Sequence, residues 1–313
     1  MKKRLLALGL GLMLLCSCGV KEKTMEIDGV TFTDALGRRV SVEEPQRVAC
    51  LLGSFAQVWI LAGGDICATA DDAWEDFDLG LSDDVVNLGN TKELSLEKLL
   101  GSQPDFIIAS GNTKQNVEWK ETLEATGIPL AYFEVNDFSD YLEMLQICTE
   151  ITGREDLYEQ NGLAVQEQID SVVEQSKERL AESAEVPTVL TMRASASSIL
   201  AKNSESTVLG EILLDLGCVN IADSDTSLLE NLSIETILQR DPDYIFFIPR
   251  GDDEEGMKAY VQSYLMEHPA WAQLSAVKEG RVYYMKKELY GLKPNDRWGE
   301  AYEKAEEILS NEA

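Results

Sequence analysis

The strongest constraint on the fold is a fifteen-residue segment that occurs twice, 138 residues apart. Residues 94–108 read LSLEKLLGSQPDFII and residues 232–246 read LSIETILQRDPDYIF, so that seven positions are identical and four exchange one apolar residue for another. Each copy has a Ser where a helix would begin, apolar residues at helical spacing, then Pro-Asp and an apolar run typical of a buried strand. A helix leading into a strand in each half predicts two similar α/β lobes with a cleft between them.

The amino terminus indicates export from the cytoplasm. Three basic residues at positions 2–4 precede an apolar stretch over residues 5–15, which has the length of a signal-peptide core and is too short to span a membrane. The sequence LCSC at 15–18 resembles the bacterial lipobox. That resemblance implies that Cys18 is the lipid-bearing first residue of the mature protein. An ordinary signal peptide with a nearby Cys is the alternative.

A long helix is predicted to connect the lobes, because residues 155–183 contain no Pro and repeat apolar residues near helical spacing. Gly162 is its only weak position. Such a helix would be about 40 Å long, and a single stiff connection would limit the lobes to small movements. The predicted divisions are a signal peptide at 1–17, a tether at 18–29, a first lobe at 30–153, the connecting helix at 154–185 and a second lobe at 186–313.

The charge of the chain excludes several partners. There are 56 acidic and 27 basic residues, and removal of positions 2–4 leaves 24 basic residues and a net charge of −32. Nucleic acids and anionic membrane surfaces bind basic proteins, so we expect neither as a partner. We expect a monomer that contacts the membrane only through its lipid. The remaining cysteines form no CxxC pair and predict no disulfide framework: Cys50, Cys67, Cys148 and Cys218.

Candidate ligand-binding residues follow the predicted strands, because ligands of open α/β sheets bind beyond the carboxyl ends of the strands. These positions are almost free of basic residues in the first lobe and rich in them in the second. Arginine suits carboxylate, catecholate or propionate oxygens, so the pattern favours an anionic ligand. A solvated charge or a packed ring is the alternative at each position. The predicted residues are Phe55, Trp74, Arg193, Arg250, Lys286, Lys287 and Tyr290.

Taken together, the lipobox, the repeated segment, the connecting helix and the tail HPAWAQLSAVKEGRVYYM at 268–285 resemble the substrate-binding lipoproteins of ABC importers for metal chelates. The resemblance covers residues 31–313. It implies a ferric siderophore, haem or cobalamin as ligand, a membrane permease as partner, and one Glu on each lobe that docks on the permease. Glu97 and Glu235 match those positions. By themselves they are equally well explained as first-turn residues that interact with the helix dipole.

The sequence offers little for an enzyme, a cofactor or a bare metal ion. The single histidine, His268, leaves no Ser-His arrangement and no cluster of metal ligands, and no glycine-rich phosphate loop is present. We therefore predict a lipid-anchored binding protein that captures an iron chelate, best fitted by an anionic ferric siderophore. Haem or cobalamin binding is the alternative within the same class. An extracytoplasmic enzyme or a scaffold lipoprotein is the alternative from another class.

Overall fold

The computed structural model describes residues 29–183, 186–224, 226–230 and 232–311. The predicted signal peptide, Cys18 and the tether up to residue 28 lie outside this part of the chain. The described residues form two α/β lobes joined by one long helix, which confirms the predicted fold class. Among them, no helix is both long enough and apolar enough to cross a membrane.

The described chain begins with an antiparallel hairpin, formed by β1 (Val30–Thr33) and β2 (Arg39–Val42). Asp34, near its turn, is buried and attaches the hairpin to the first lobe. Its carboxylate accepts hydrogen bonds from the Arg38 guanidinium at 2.5 and 3.0 Å and from the Tyr132 backbone N–H at 3.1 Å. The Arg38 guanidinium also stacks 4.8 Å from the centre of the Tyr132 ring.

The strands of the first lobe are β3 (Val48–Cys50), β4 (Ile66–Thr69), β5 (Val86–Asn87), β6 (Phe106–Ser110) and β7 (Leu130–Phe133). They form a parallel sheet in the order β5-β4-β3-β6-β7. Its central strands are buried on both faces, as expected where helices cover a parallel sheet. The helices are α1 (Gly53–Leu61), α2 (Asp72–Glu75), α3 (Leu96–Gly101), α4 (Lys114–Glu118), α5 (Lys120–Glu124) and α6 (Phe138–Thr152).

The connecting helix is continuous but contains one π-helical turn. The turn coincides with Gly162, the position that the sequence marks as weak. A Cβ at Gly162 would lie 3.0 Å from Leu142 and 3.2 Å from Leu145 of α6, so the glycine lets the two helices pack closely. At 1.5 Å per residue the whole helix is about 40 Å long. Its parts are α7 (Glu155–Tyr158), the π turn Glu159–Leu163 and α8 (Ala164–Glu182).

The strands of the second lobe are β8 (Thr188–Ser195), β9 (Ser198–Lys202), β10 (Val219–Asn220), β11 (Tyr244–Pro249) and β12 (Val282–Tyr284). The parallel order is β10-β8-β11-β12, and β9 pairs antiparallel with β8. This hairpin has no counterpart in the first sheet. The helices are α9 (Val208–Asp215), α10 (Ile221–Ser224), α11 (Ser227–Glu230), α12 (Ile234–Arg240), α13 (Glu254–Val261), α14 (Ser275–Lys278) and α15 (Trp298–Ser310).

The Asp of the repeated Pro-Asp has the same structural role in each lobe. The Asp105 carboxylate accepts hydrogen bonds from the backbone N–H groups of Gln46 and Arg47, at 2.9 and 2.8 Å, just before β3. The Asp243 carboxylate accepts from the backbone N–H and the hydroxyl of Thr188, at 2.8 and 2.6 Å, where β8 begins. Asp105, which precedes β6, therefore fixes the start of the neighbouring strand β3, and Asp243, which precedes β11, fixes the start of the neighbouring strand β8. This shared role explains why both copies of the repeat contain the Asp.

The amino-terminal part of the connecting helix is fastened to the first lobe. The Tyr141 hydroxyl of α6 donates to the Asn161 carbonyl at 2.8 Å, and the Asn161 side-chain amide donates to the Leu61 carbonyl of α1 at 2.8 Å. Val165 and Ile169 of α8 are buried in the largest apolar cluster of the protein, which includes residues of both lobes. The helix is thus part of a common core.

The carboxyl-terminal part of the same helix is fastened to the second lobe. The Arg179 guanidinium donates to both carboxylate oxygens of Glu306 in α15, at 2.7 and 3.1 Å. Ser176 donates its hydroxyl to the Leu216 carbonyl, at 2.7 Å, and accepts a hydrogen bond from Arg179. A two-bond pairing of guanidinium and carboxylate with little solvent exposure is a strong, directional contact.

Every cysteine in the described residues is buried and free of a disulfide bond: Cys50, Cys67, Cys148 and Cys218. Burial raises the pKa of the Cys218 thiol to about 12, and it also raises the pKa values of Cys50 and Cys148. The thiols therefore remain protonated and behave as small apolar groups.

Candidate ligand-binding cleft

Residues that follow strands of both lobes line one cleft of about 720 Å³. A larger cavity, of about 810 Å³, is lined by first-lobe residues only and lies beside Asp65, which precedes β4. We place the site in the smaller cavity because ligands of parallel sheets bind beyond the carboxyl ends of the strands. Among the residues that line it are Glu75, Asp76, Asp252, Tyr284, Lys286 and Lys287.

The first-lobe side is built where α1 begins. Its first backbone N–H, at Gly53, donates to the Asp72 carboxylate at 2.9 Å, so that α2 supplies the capping group. A Cβ at Gly53 would lie 2.6 Å from the Ala73 nitrogen, which leaves room only for glycine. Burial raises the pKa of Asp72 from 3.8 to about 6. The hydrogen bond from Gly53 lowers this pKa, but its effect is smaller than that of burial. The charges of Asp76 and Asp71 raise the pKa further.

Two of the predicted cations, Arg193 and Arg250, lie on neighbouring strands of the second sheet; neither lines the cavity itself, although Pro249 and Gly251, on either side of Arg250, do. Arg193 is in β8, and the Arg250 backbone N–H donates to the Ala194 carbonyl at 2.8 Å as it leaves the neighbouring β11. Arg193 is half-buried, its Nε has no hydrogen-bond acceptor, and one Nη lies 3.5 Å from the Gly291 carbonyl. Burial lowers the pKa of Arg193, and the charge of Arg250 lowers it further.

The structure adds a third cation, Lys293, which the sequence did not single out as a candidate ligand-binding residue. It is half-buried, and burial lowers its pKa; Asp140 opposes this effect, whereas Arg193 adds to it. Among the described residues, no carboxylate oxygen lies within 4.0 Å of a side-chain nitrogen of Lys293, Arg193 or Arg250. Lys293 was missed because it follows a π-helical turn, Lys287–Gly291, rather than a strand.

The lysines after β12 have different surroundings. Lys286 is exposed at the edge of the cleft. The Lys287 ammonium forms ion pairs with Asp76 of the first lobe and Asp252 of the second, so it joins the two sides of the cleft. Trp74 is half-buried in α2, next to the cleft residue Glu75. The ligand-binding roles of Lys286, Lys287 and Trp74 remain predictions.

Phe55 and Tyr290 lie in the core, which corrects the prediction that they line the cleft. Phe55 is 3% exposed and packs in the largest apolar cluster. Tyr290 is 4% exposed, and its hydroxyl donates to the Ala301 carbonyl of α15 at 2.9 Å. A position soon after a strand does not determine which way a ring points. The proposed site therefore omits both residues.

A buried asparagine, which the sequence did not single out, joins the lobes beside the cations. Asn295 is 1% exposed and has a left-handed backbone with φ of 53°. Its side-chain amide donates to the Ser54 carbonyl at 3.0 Å and to the Gln57 side-chain oxygen at 2.6 Å, both in α1. Trp298, at the start of α15, is fully buried and packs edge-on against Phe138 of α6, with ring centres 6.1 Å apart.

The two glutamates of the repeat occupy equivalent exposed positions in the first turns of α3 and α12. Ser95 caps α3 by accepting from the Lys98 N–H at 3.3 Å, and Ser233 caps α12 in the same way. Ser233 also donates its hydroxyl to the Glu235 carboxylate at 3.1 Å. Glu235 thus has a local partner, and its own backbone N–H and that hydroxyl lower its pKa. For Glu97 no such bond is seen in the described residues.

Comparison with known proteins decides the family. A family model described as periplasmic binding protein matches residues 48–289, which is most of the chain. The chain belongs to this family. Membership makes it a binding protein rather than an enzyme, as predicted. In the described residues, no group of three or more His, Cys, Asp or Glu side chains is placed to hold a metal ion, and His268 is exposed.

The relatives include two proteins of Bacillus subtilis (strain 168). The iron-uptake system-binding protein is 25% identical over 211 residues, which cover 65% of this chain and 62%, less than two thirds, of that protein. The Fe(3+)-citrate-binding protein YfmC is 28% identical over 271 residues, which cover 83% of this chain and 79% of that protein. Among solved structures, the siderophore binding protein BauB, bound to acinetobactin and ferric iron, has a TM-score of 0.70 and is 20% identical in sequence. The match covers 90% of this chain and 99% of that one. This last likeness concerns the fold.

Replacement of Asp72 by Asn should stabilise the protein at high pH only. Because the folded pKa of Asp72 lies above its unfolded value, its contribution to stability is fully present below pH 3.8 and is lost as the pH rises through about 6. At 1.36 kcal/mol per pKa unit, the ionised carboxylate costs up to about 3 kcal/mol near pH 8. Asn keeps an acceptor for the Gly53 N–H and avoids this cost.

Urea unfolding of Asp72→Asn at pH 4 and pH 8 measures the effect. We expect a gain of about 1 to 3 kcal/mol at pH 8 and none at pH 4. Asp83→Asn, at an exposed position of the same lobe, controls for the loss of one negative charge. Equal changes at both pH values, or a loss of stability at pH 8, would contradict the role assigned to burial.

Proposed function

We propose that this protein captures an anionic ferric chelate in the cleft between its lobes and delivers it to the permease of an ABC importer. The observation that carries the proposal is a pair of arginines on neighbouring strands of the second lobe, half-buried Arg193 and exposed Arg250, which have no carboxylate partner among the described residues. A partly buried guanidinium without a carboxylate partner favours binding of an anion, and oxygen-rich chelates supply one. The names of the two Bacillus relatives, which refer to iron uptake and ferric citrate, agree with this ligand class.

A ligand screen tests the proposal. The purified full-length protein would be titrated with ferric siderophores, ferric citrate, haem and cobalamin while its tryptophan fluorescence is followed. Native mass spectrometry would give the stoichiometry. We expect one anionic ferric chelate to bind per protein molecule, with a dissociation constant at or below the micromolar range. Tighter binding of cobalamin or haem would redirect the assignment within the transporter class, and binding of no chelate would refute it.

We also propose that the protein is anchored to the outer face of the cell membrane by a lipid on Cys18. The support is the lipobox-like sequence at 15–18 behind an apolar signal core. Metabolic labelling with a fatty acid should label the wild type, and Cys18→Ala should carry no label. Cys50→Ala, which changes a cysteine buried in the described fold, is the matched control and should keep the label. Label retained by Cys18→Ala would exclude the assignment.

The delivery step is proposed to use Glu97 and Glu235 as contacts for basic residues of the permease. Their support is equivalence in the two copies of the repeat, together with exposure outside the cleft. The competing explanation is local: a first-turn Glu interacts with the helix dipole, which contributes about 0.3 to 1 kcal/mol. The two explanations differ in what charge reversal does to transport.

Reversal of both charges, Glu97→Lys with Glu235→Lys, should abolish uptake while ligand affinity stays within twofold. Like charges facing each other at the permease would cost far more than a missing contact. The matched control reverses two other exposed glutamates, Glu121 and Glu267. Iron uptake by cells and ligand titration of the purified proteins give the two readouts. Normal uptake by a folded, ligand-binding double variant would show that the glutamates serve only their helices.

A further inference from the structure

The ion pair between Lys287 and Asp76, the interlobe ion pair, joins the two lobes inside the cavity assigned as the site. Both residues line that cavity, and they are 211 positions apart in the sequence. Other ion pairs between described residues lie within one lobe or involve the connecting helix. The two walls of the cavity therefore cannot separate at this point unless the interlobe ion pair breaks.

Both members of the interlobe ion pair are largely covered by protein. The Lys287 side chain is 20% exposed and the Asp76 side chain 22% exposed. Salt screens such a pair less than a surface pair, and leaving one member without its partner costs more. The second partner of the lysine, Asp252, is 84% exposed and belongs to the same lobe as Lys287. Its pairing is therefore weak and does not connect the lobes.

Asp76 is held by a rigid part of the first lobe. Its backbone N–H donates to the Asp72 carbonyl at 2.9 Å, where α2 ends. The Asp72 carboxylate accepts in turn from the Gly53 N–H at the start of α1. Gly53 also packs against Ala73 of α2 with no room for a side chain. Asp76 thus moves only if α2 and the start of α1 move with it.

Lys287 is held as firmly in the second lobe. It begins the π-helical turn Lys287–Gly291, and its carbonyl accepts from the Leu292 N–H at 3.0 Å. Leu289 and Tyr290 of this turn are buried, and the Tyr290 hydroxyl donates to the Ala301 carbonyl of α15. Because both backbones are fixed, the side-chain contact between them is the part that can open and close.

Another contact between the lobes lies in the core rather than in the cavity. Asn295 is 1% exposed and donates to the Ser54 carbonyl and the Gln57 side chain of α1. These bonds do not involve either member of the interlobe ion pair. The lobes therefore stay joined in the core when the ion pair opens, and the opening widens the cavity by a small movement.

We propose that the interlobe ion pair is an autoinhibitory contact, which blocks the cavity while it is closed and must open before a ligand enters. This inference rests on the proposed function and adds the step that controls ligand entry. It gives Lys287 a gating role in place of the direct ligand contact that its sequence position predicts. A binding protein that is open for only a fraction of the time captures its ligand at a rate reduced by that fraction.

Two substitutions separate the bond between the lobes from the charge of the cavity. Asp76→Asn removes the interlobe ion pair, whereas Asp252→Asn removes one negative charge beside the same ammonium and leaves that pair in place. Exchange of the two charges, Lys287→Asp with Asp76→Lys, rebuilds the pair in reverse and keeps one cation between two carboxylates. The full-length wild type, the two single variants and the double variant are compared.

Hydrogen exchange of backbone amides, measured before ligand is added, reports the opening. We expect Asp76→Asn to speed exchange about tenfold in residues 286–292 of the other lobe, as the loss of one charge-assisted bond implies. Asp252→Asn should stay within twofold of the wild type, and the charge exchange should restore slow exchange. A purely local role for Asp76 would change only residues 72–77 of its own lobe.

Stopped-flow tryptophan fluorescence with ferric citrate measures ligand entry. We expect association to be about tenfold faster for Asp76→Asn than for Asp252→Asn. Unchanged exchange of residues 286–292 in Asp76→Asn, equal exchange in the two single variants, or equal association rates would overturn the inference. If ferric citrate binds to none of the four proteins, the proposed function fails for this chelate. The exchange rates then decide by themselves whether the interlobe ion pair holds the cavity closed.

Discussion

The fastening of one continuous helix to both lobes is the constraint on which the rest of the structure depends. Asn161 joins it to α1 and α6 of the first lobe, and Arg179 joins it to Glu306 of the second. A rotation of either lobe would have to break these contacts or bend the helix. The walls of the cleft are therefore largely set before a ligand arrives, and recognition must come from side chains already in place.

This preformed cleft has an uneven distribution of charge. The first-lobe side contributes carboxylates such as Glu75 and Asp76, while the cations belong to the second lobe. One cation, Lys287, is neutralised by Asp76 and Asp252 and bridges the lobes. Arg193 and Arg250 are not neutralised in this way. Against a strongly acidic surface, a small positive region can attract an anion to one place and leave the remaining surface repulsive to it.

Much of the fold was predictable because the repeat encodes a complete local unit. Its Ser, apolar spacing and Pro-Asp specify a capped helix, a strand and the bonds of Asp105 and Asp243 that hold the neighbouring strand. Strand β9 was missed, because its pairing depends on a neighbour that a linear pattern does not identify. The short strands β5 and β10, of two residues each, carry too few positions for any periodicity.

The site was less predictable than the fold for a related reason. Arg193 and Arg250 lie on strands that are parallel neighbours, as their positions in the sequence indicated, although Arg193 lies within β8 rather than after it. The same rule failed for Phe55 and Tyr290, whose rings turn into the core. It also missed Lys293 and Asn295, which are placed by a π-helical turn and by contacts between the lobes. Contacts that join residues some 240 positions apart leave no local signal in the sequence.

The buried cysteines give the protein a redox-independent fold. Since each of the described thiols is covered and none is bonded to another, the folded state neither requires an oxidising compartment nor loses a bond in a reducing one. The same thiols would become reactive when the chain opens. The rate at which a thiol reagent modifies this protein thus reports how often its core is exposed to solvent.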